Sequence, residues 1–165
     1  MKIGSVFIWV SYPFNHEKDP KDRWFVYLGE YRESNDPFDK TSSIFVVIPT
    51  TTSRIEYYEP GGYRENHLFV MFTPEEGFGF SKKCILDLTH FEPVVEKHVF
   101  DKFLERGTIL KQGEISTSRI REIYEKICIS SGYSMILKKK IRHSLTTAGI
   151  SGLPVPKRKN RKRKH

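Results

Sequence analysis

A chain of 165 residues, 38% apolar and 13% aromatic, is long enough for one domain with its own core and too short for two. The net charge of +8 is uneven: residues 1–130 carry 17 basic against 20 acidic residues, whereas residues 131–165 carry 11 basic and no acidic ones. Only two cysteines occur, Cys84 and Cys128, with no paired spacing, which argues against a disulfide scaffold and for a reducing, cytoplasmic setting.

The apolar N-terminal run over residues 4–10 is too short to span a bilayer and lacks a small-residue cleavage site, so it reads as a first strand, with no membrane role. A polar loop with Pro13 and Pro20 comes next, and Arg23 heads a second strand through Trp24, Phe25, Val26, Tyr27 and Leu28. Residues 31–43 form a turn-rich connection around Asn35-Asp36-Pro37, and the third strand, Ile44 to Ile48, is expected to end at Pro49 before Thr50, Thr51 and Thr52. After Glu59-Pro60-Gly61-Gly62, residues 67–72 read as a fourth strand and residues 84–88 as a fifth. Close spacing without an intervening long helix points to a small antiparallel barrel or strongly coiled sheet, mainly β within an α+β class.

Helices are expected late. Pro93 suits a first helical turn, and Val95, Val99 and Phe103 recur every four residues over residues 91–106. Residues 117–129 place Ile120, Ile123, Tyr124, Ile127 and Cys128 on one stripe, with a serine before and Ser130-Ser131-Gly132 after, so this helix packs on the core. The reading is a domain over residues 1–132 and a basic extension over 133–165. The extension holds a short basic element over residues 133–145 and a linker over 149–156, and is largely disordered after residue 149. The charge asymmetry fits either a polyanionic partner or a solvated tail.

No phosphate-cradling Gly-x-x-x-x-Gly-Lys loop, Cys-x-x-Cys pair or His-x-x-x-His spacing is present, so neither a metal nor another cofactor is expected. What remains suits cleavage of RNA in which the 2′-hydroxyl attacks its own phosphate. An arginine fork matches phosphoryl oxygens and stays charged, and threonine hydroxyls donate beside it.

Several features in order resemble the MazF/PemK toxin endoribonucleases. They are a Gly-x-hydrophobic-aromatic first strand from Gly4, Arg23 heading the second, and Pro49-Thr50-Thr51-Thr52 closing the third. Downstream, Cys84-Ile85-Leu86-Asp87-Leu88 resembles the family's aspartate-ending strand, and Arg106-Gly107-Thr108 with the helix behind it resembles its closing segment. The resemblance covers roughly residues 4–129 and implies an SH3-like barrel, usually a homodimer. It implies metal-free cutting of single-stranded RNA and neutralisation by an antitoxin whose acidic segment covers the RNA groove. Carried over, Arg23 matches the catalytic arginine, Thr51 the catalytic threonine with Thr52 beside it, and Asp87 an acidic residue of the active-site strand. The family's proline after the arginine is Trp24 here, its glutamine after the aspartate is Leu88, and the basic tail is additional.

Each residue also has a plainer role. Arg23 can pair with a surface carboxylate, and residues 50–53 can cap a turn. His16, in the first loop, and His90, beyond the fifth strand, are conceivable proton carriers or simply solvated rings. Trp24, Tyr57 and Tyr58, with Phe38 and Tyr63, can stack unpaired bases or cover the ends of the barrel. Lys157, Arg158, Arg161 and Arg163 supply phosphate contacts. The alternative to an enzyme is a non-catalytic barrel that binds nucleic acid or a protein target and uses the basic tail.

Overall fold

In β1 (Ser5–Tyr12) and β2 (Lys21–Arg32), consecutive apolar residues point to opposite faces of the pleat, and both faces are buried. Val6, Val26 and Leu28 enter the main core, while Phe7, Trp9, Phe25 and Tyr27 form a second, aromatic core. Burial on both sides is why these runs are continuously apolar rather than alternating. A computed structural model describes residues 1–14, 20–32, 43–51, 54–89 and 95–157.

The remaining strands are β3 (Ser43–Thr51), β4 (Phe69–Phe72), β5 (Cys84–Asp87) and β6 (Ile109–Glu114). All paired strands are antiparallel, in the order β4-β5-β3-β2-β1-β6. The helices are α1 (Lys97–Glu105), α2 (Thr117–Ile129) and α3 (Met135–Thr147). The class is α+β. Among the described residues β4 and β6 share no ladder, so the sheet is open and not a closed barrel.

The coiling comes from two places. β3 does not stop at Pro49: residues 43–49 pair with β2, and Thr50 and Thr51 then pair with Leu86 and Ile85 of β5. The ladder changes partner at the residue that has no N–H to donate. At the far side, the Phe78–Gly79 backbone lies against Gln112–Gly113 of β6. A Cβ on Gly113 would stand 2.2 Å from the Phe78 carbonyl oxygen, and one on Gly79 would stand 2.6 Å from that of Gln112. Only paired glycines permit that approach.

α2 forms over the residues its stripe indicates: Ile120, Ile123, Tyr124 and Ile127 are buried, and Ser116 Oγ accepts from the Arg119 N–H. Residues 97–105 of the expected 91–106 helix are helical, and 91–94 lie outside the described residues. Three expectations need correction. Residues 109–114 form a strand, β6, where only a closing Gly-Thr segment is expected, because Ile109 is its one fully buried residue and no alternation marks it. The short basic element is a 13-residue helix, α3, whose Leu137, Ile141 and Leu145 join the main core. The linker over 149–156 is packed: Ile150 and Leu153 are buried in that core, and Arg121 Nε donates to the Ser151 carbonyl at 2.8 Å. The basic extension is therefore part of the folded domain through Pro156, and residues 158–165 lie outside the described residues.

Even the first lysine of the basic stretch is structural. Lys138 is 7% exposed and donates to the carbonyls of Cys128 (2.9 Å) and Ser130 (2.6 Å), compensating the negative end of α2. Cys84 and Cys128 are not joined in a disulfide. No helix among the described residues is long and apolar enough to cross a membrane.

Candidate functional site

Strand alternation decides which candidate residues share a surface. Arg23 pairs with Trp9 and Phe25 with Phe7, and these aromatic partners lie on the face opposite the main core. Phe25 also pairs with Pro49, which puts position 51, two residues on, on that same face by backbone register. Thr51 pairs with Ile85, and Asp87 comes two residues later, whereas Cys84, Leu86 and Leu88 on the alternate parity belong to the main core. By backbone register the positions of Arg23, Thr51 and Asp87 thus share one parity on β2, β3 and β5, with β2 pairing with β3 through Pro49 and β5 pairing with it from Thr50.

Asp87 is the best-connected of them. Its Oδ2 accepts from the Tyr58 hydroxyl at 2.8 Å and lies 2.8 Å from His67 Nδ1, while Oδ1 accepts from the Thr89 N–H at 2.9 Å. Arg64 Nη1 donates to the Tyr58 hydroxyl at 2.9 Å and stands 4.0 Å from Asp87 Oδ2, with its guanidinium 5.6 Å from the centre of the Tyr58 ring. Burial pushes the Asp87 carboxyl up, but hydrogen bonds from His67, the Thr89 N–H, Tyr58 and the Thr89 side chain outweigh it and hold the group below the ordinary aspartate range. The Tyr58 hydroxyl is shifted up, chiefly by burial, with the Arg64 hydrogen bond opposing and Asp87 adding to it. The Arg64 guanidinium is also shifted up, first by its bond to Tyr58.

The backbone around this cluster is fixed by local bonds. A 3-10 turn over Ile55–Tyr58 begins after Arg54 in the left-handed region, and the Arg64 N–H returns to the Tyr57 carbonyl at 2.6 Å. Gly62 approaches the Glu56 and Tyr57 carbonyls so closely that a Cβ would stand 2.5 Å from either oxygen. On the β5 side, the Leu88 N–H donates to the Leu68 carbonyl at 2.6 Å and the Leu68 N–H to Thr89 Oγ1 at 2.9 Å. The carboxylate, imidazole, phenol and guanidinium are therefore carried on anchored backbone.

The other candidates fall elsewhere. Arg23 lies with its guanidinium 6.0 Å from the centre of the Tyr12 ring, in a different contact from Asp87. Trp24 is half-buried and packs against the main core, 5.8 Å from Phe80 between ring centres. Tyr58 is 4% exposed, which turns its ring from a base platform into a support for Asp87. Tyr57 is half-buried with the Arg54 guanidinium 5.7 Å from its ring centre, and Tyr63 is 89% exposed. Lys157 is exposed at the end of the packed segment. His16, Thr52, His90, Arg158, Arg161 and Arg163 lie outside the described residues, as does Phe38.

Arg64 and His67 are not legible as site residues in the sequence. No fixed spacing links them to Asp87, and the apolar run places His67 in the fourth strand, which begins only at Phe69. The available signal is the run of polar residues between the Gly61-Gly62 turn and the strand. Among the described residues no group of three or more histidine, cysteine, aspartate or glutamate side chains is placed to hold a metal ion. No protein-family model, curated protein or solved structure matches this chain.

Proposed function

We propose that the protein is a metal-independent endoribonuclease of the toxin type, cutting single-stranded RNA by attack of the 2′-hydroxyl on the adjacent phosphate. The observation that carries the reading is the shared parity of Arg23, Thr51 and Asp87 by backbone register, across three strands from separate parts of the sequence. In this reading Arg23 stabilises the charge that develops on the phosphoryl oxygens, Thr51 orients the phosphate, and Asp87 serves proton movement. The coiled antiparallel sheet is an opened relative of the SH3-like barrel. The protein works in the cytoplasm as a homodimer, an acidic antitoxin segment competes with RNA for the face, and the residues from Lys157 onward add phosphate contacts.

The test is incubation of the purified full-length chain with end-labelled single-stranded RNA in excess EDTA. Discrete cuts with 2′,3′-cyclic phosphate ends are expected, and none in a substrate carrying 2′-deoxy at the cut position. Arg23→Ala, folded by circular dichroism, is expected to cut about a hundredfold more slowly or worse, the cost of one lost transition-state donor. Intact RNA, cleavage of the deoxy substrate, or full activity of Arg23→Ala sinks the proposal.

A further inference from the structure

We propose that the cavity between β2, α1 and α3 binds a small organic cation, a guanidinium or primary amine on a short aliphatic stem. The assignment does not depend on the ribonuclease reading. The cavity has a volume of about 510 Å³, within the range of small-molecule sites. Helical spacing builds two of its walls: Lys97, Phe100 and Asp101 fall at i, i+3 and i+4 on α1, and Ser144, Thr147 and Ala148 fall likewise on α3. The third wall is β2, where Gly29 lets α3 come down onto the strand, since a Cβ there would stand 2.1 Å from Ser144 Oγ.

The charge lies where β2 meets α1. Lys97 Nζ donates to Asp101 Oδ2 at 2.7 Å but stands 3.9 Å from Glu30 Oε2, beyond hydrogen-bond reach. Glu30, with its side chain 49% exposed, therefore takes attraction but no hydrogen bond from that lysine. Among the described lining residues two carboxylates face one lysine, and the remaining titratable side chains are Tyr27 on β2 and His143 on α3. The acidic excess is felt inside: the Tyr27 hydroxyl is pushed above the ordinary phenol range, first by burial and then by the charges of Glu30 and Asp101.

A planar guanidinium can donate to both oxygens of Glu30, and Ile3, Phe100 and Ala148 offer its stem an apolar wall. The same groups discriminate against other ligands. A phosphate, free or in an RNA strand, brings like charge to Glu30 and Asp101. A neutral ligand of the same shape forfeits the charge-assisted bonds. Walls from three elements leave a concave site matched to a small molecule rather than to an extended chain.

The experiment is NMR titration of the full chain with N-butylguanidine, its neutral isostere N-butylurea, pentanoate, guanosine and N-acetyl-arginine methylamide, repeated with Glu30→Gln and Thr147→Trp. N-butylguanidine should give saturable shifts at the Ile3 and Ala148 methyls and the Gly29 amide, and bind more tightly than each of the other four. Its affinity should fall as salt rises. Glu30→Gln should weaken it about tenfold or more, the loss of a charge-assisted hydrogen bond, and Thr147→Trp should abolish it by filling the cavity. No saturable shift at these residues in the wild type overturns the proposal, as does unchanged affinity in both folded variants. Where a variant fails to fold, the wild-type comparison still decides: the urea or pentanoate binding as tightly as the guanidine removes the cation, tighter guanosine makes this a nucleobase pocket, and tighter blocked arginine assigns it to a protein side chain. Each of these results overturns the assignment to a free organic cation.

Discussion

At the scale of single residues, charges withdrawn from water set the demands. Lys138 meets them with two carbonyls at the end of α2, so its charge belongs to the fold and is not offered to a polyanion. Asp87 meets them with four hydrogen-bond sources, and its depressed ionisation couples it to stability. A carboxyl that binds its proton less readily folded than unfolded contributes stability fully above its unfolded value, near pH 3.9, and loses it as acid carries the folded group through its own lower value. Urea melts from pH 7 to pH 3 are therefore expected to show a steeper acid loss in the wild type than in Asp87→Asn. Glu75 and Glu114 are shifted in the same direction by exposed hydrogen bonds, so the contrast with the variant isolates Asp87. Equal acid slopes in the two proteins contradict the role given to this carboxylate.

At the scale of elements, legibility tracks the number of faces an element buries. α2 buries one stripe of a regular period, and its bounds can be read directly from the residue order. β6 buries Ile109 and little else, and is held by its antiparallel ladder to β1, from Ser5↔Glu114 to Trp9↔Ile109. Residues 149–156 carry glycine and proline that favour a loop, and the segment is one, yet its two apolar side chains find a place in the main core. Leu153→Ala should lower unfolding free energy by about 2–5 kcal/mol in urea titration, as burial in a packed core requires. Val155→Ala, at a position 65% exposed, should stay within about 0.5 kcal/mol of wild type. Similar small effects at both positions would show that the segment is not packed in solution. The packing of α3 against the sheet likewise explains Gly29, at φ +113° on β2, where a Cβ would stand 2.1 Å from Ser144 Oγ of α3.

For the whole molecule, the packed segment relocates the boundary between fold and tail. Deleting residues 158–165 removes six of the positive charges and none of the described core, taking the net charge from +8 to +2. RNA binding should weaken, and its logarithmic salt slope should become shallower by about 0.7 for each phosphate of the single strand that the tail no longer neutralises, while the cut position stays the same. An unchanged slope means that the tail does not touch RNA, and a moved cut site means that it helps choose the sequence. The residue order by itself determined the antiparallel α+β class, β1, β2 and α2, the uneven charge and the membership of Asp87 in a strand end, because each rests on local period, composition or turn chemistry. Only the tertiary structure decided that β3 crosses from β2 to β5 at Pro49, that α3 and residues 150–156 complete the core, and that Tyr58, Arg64 and His67 converge on Asp87. The reason is physical: hydrogen bonds between residues 20 or more positions apart depend on how the sheet coils, and no local pattern encodes that coil.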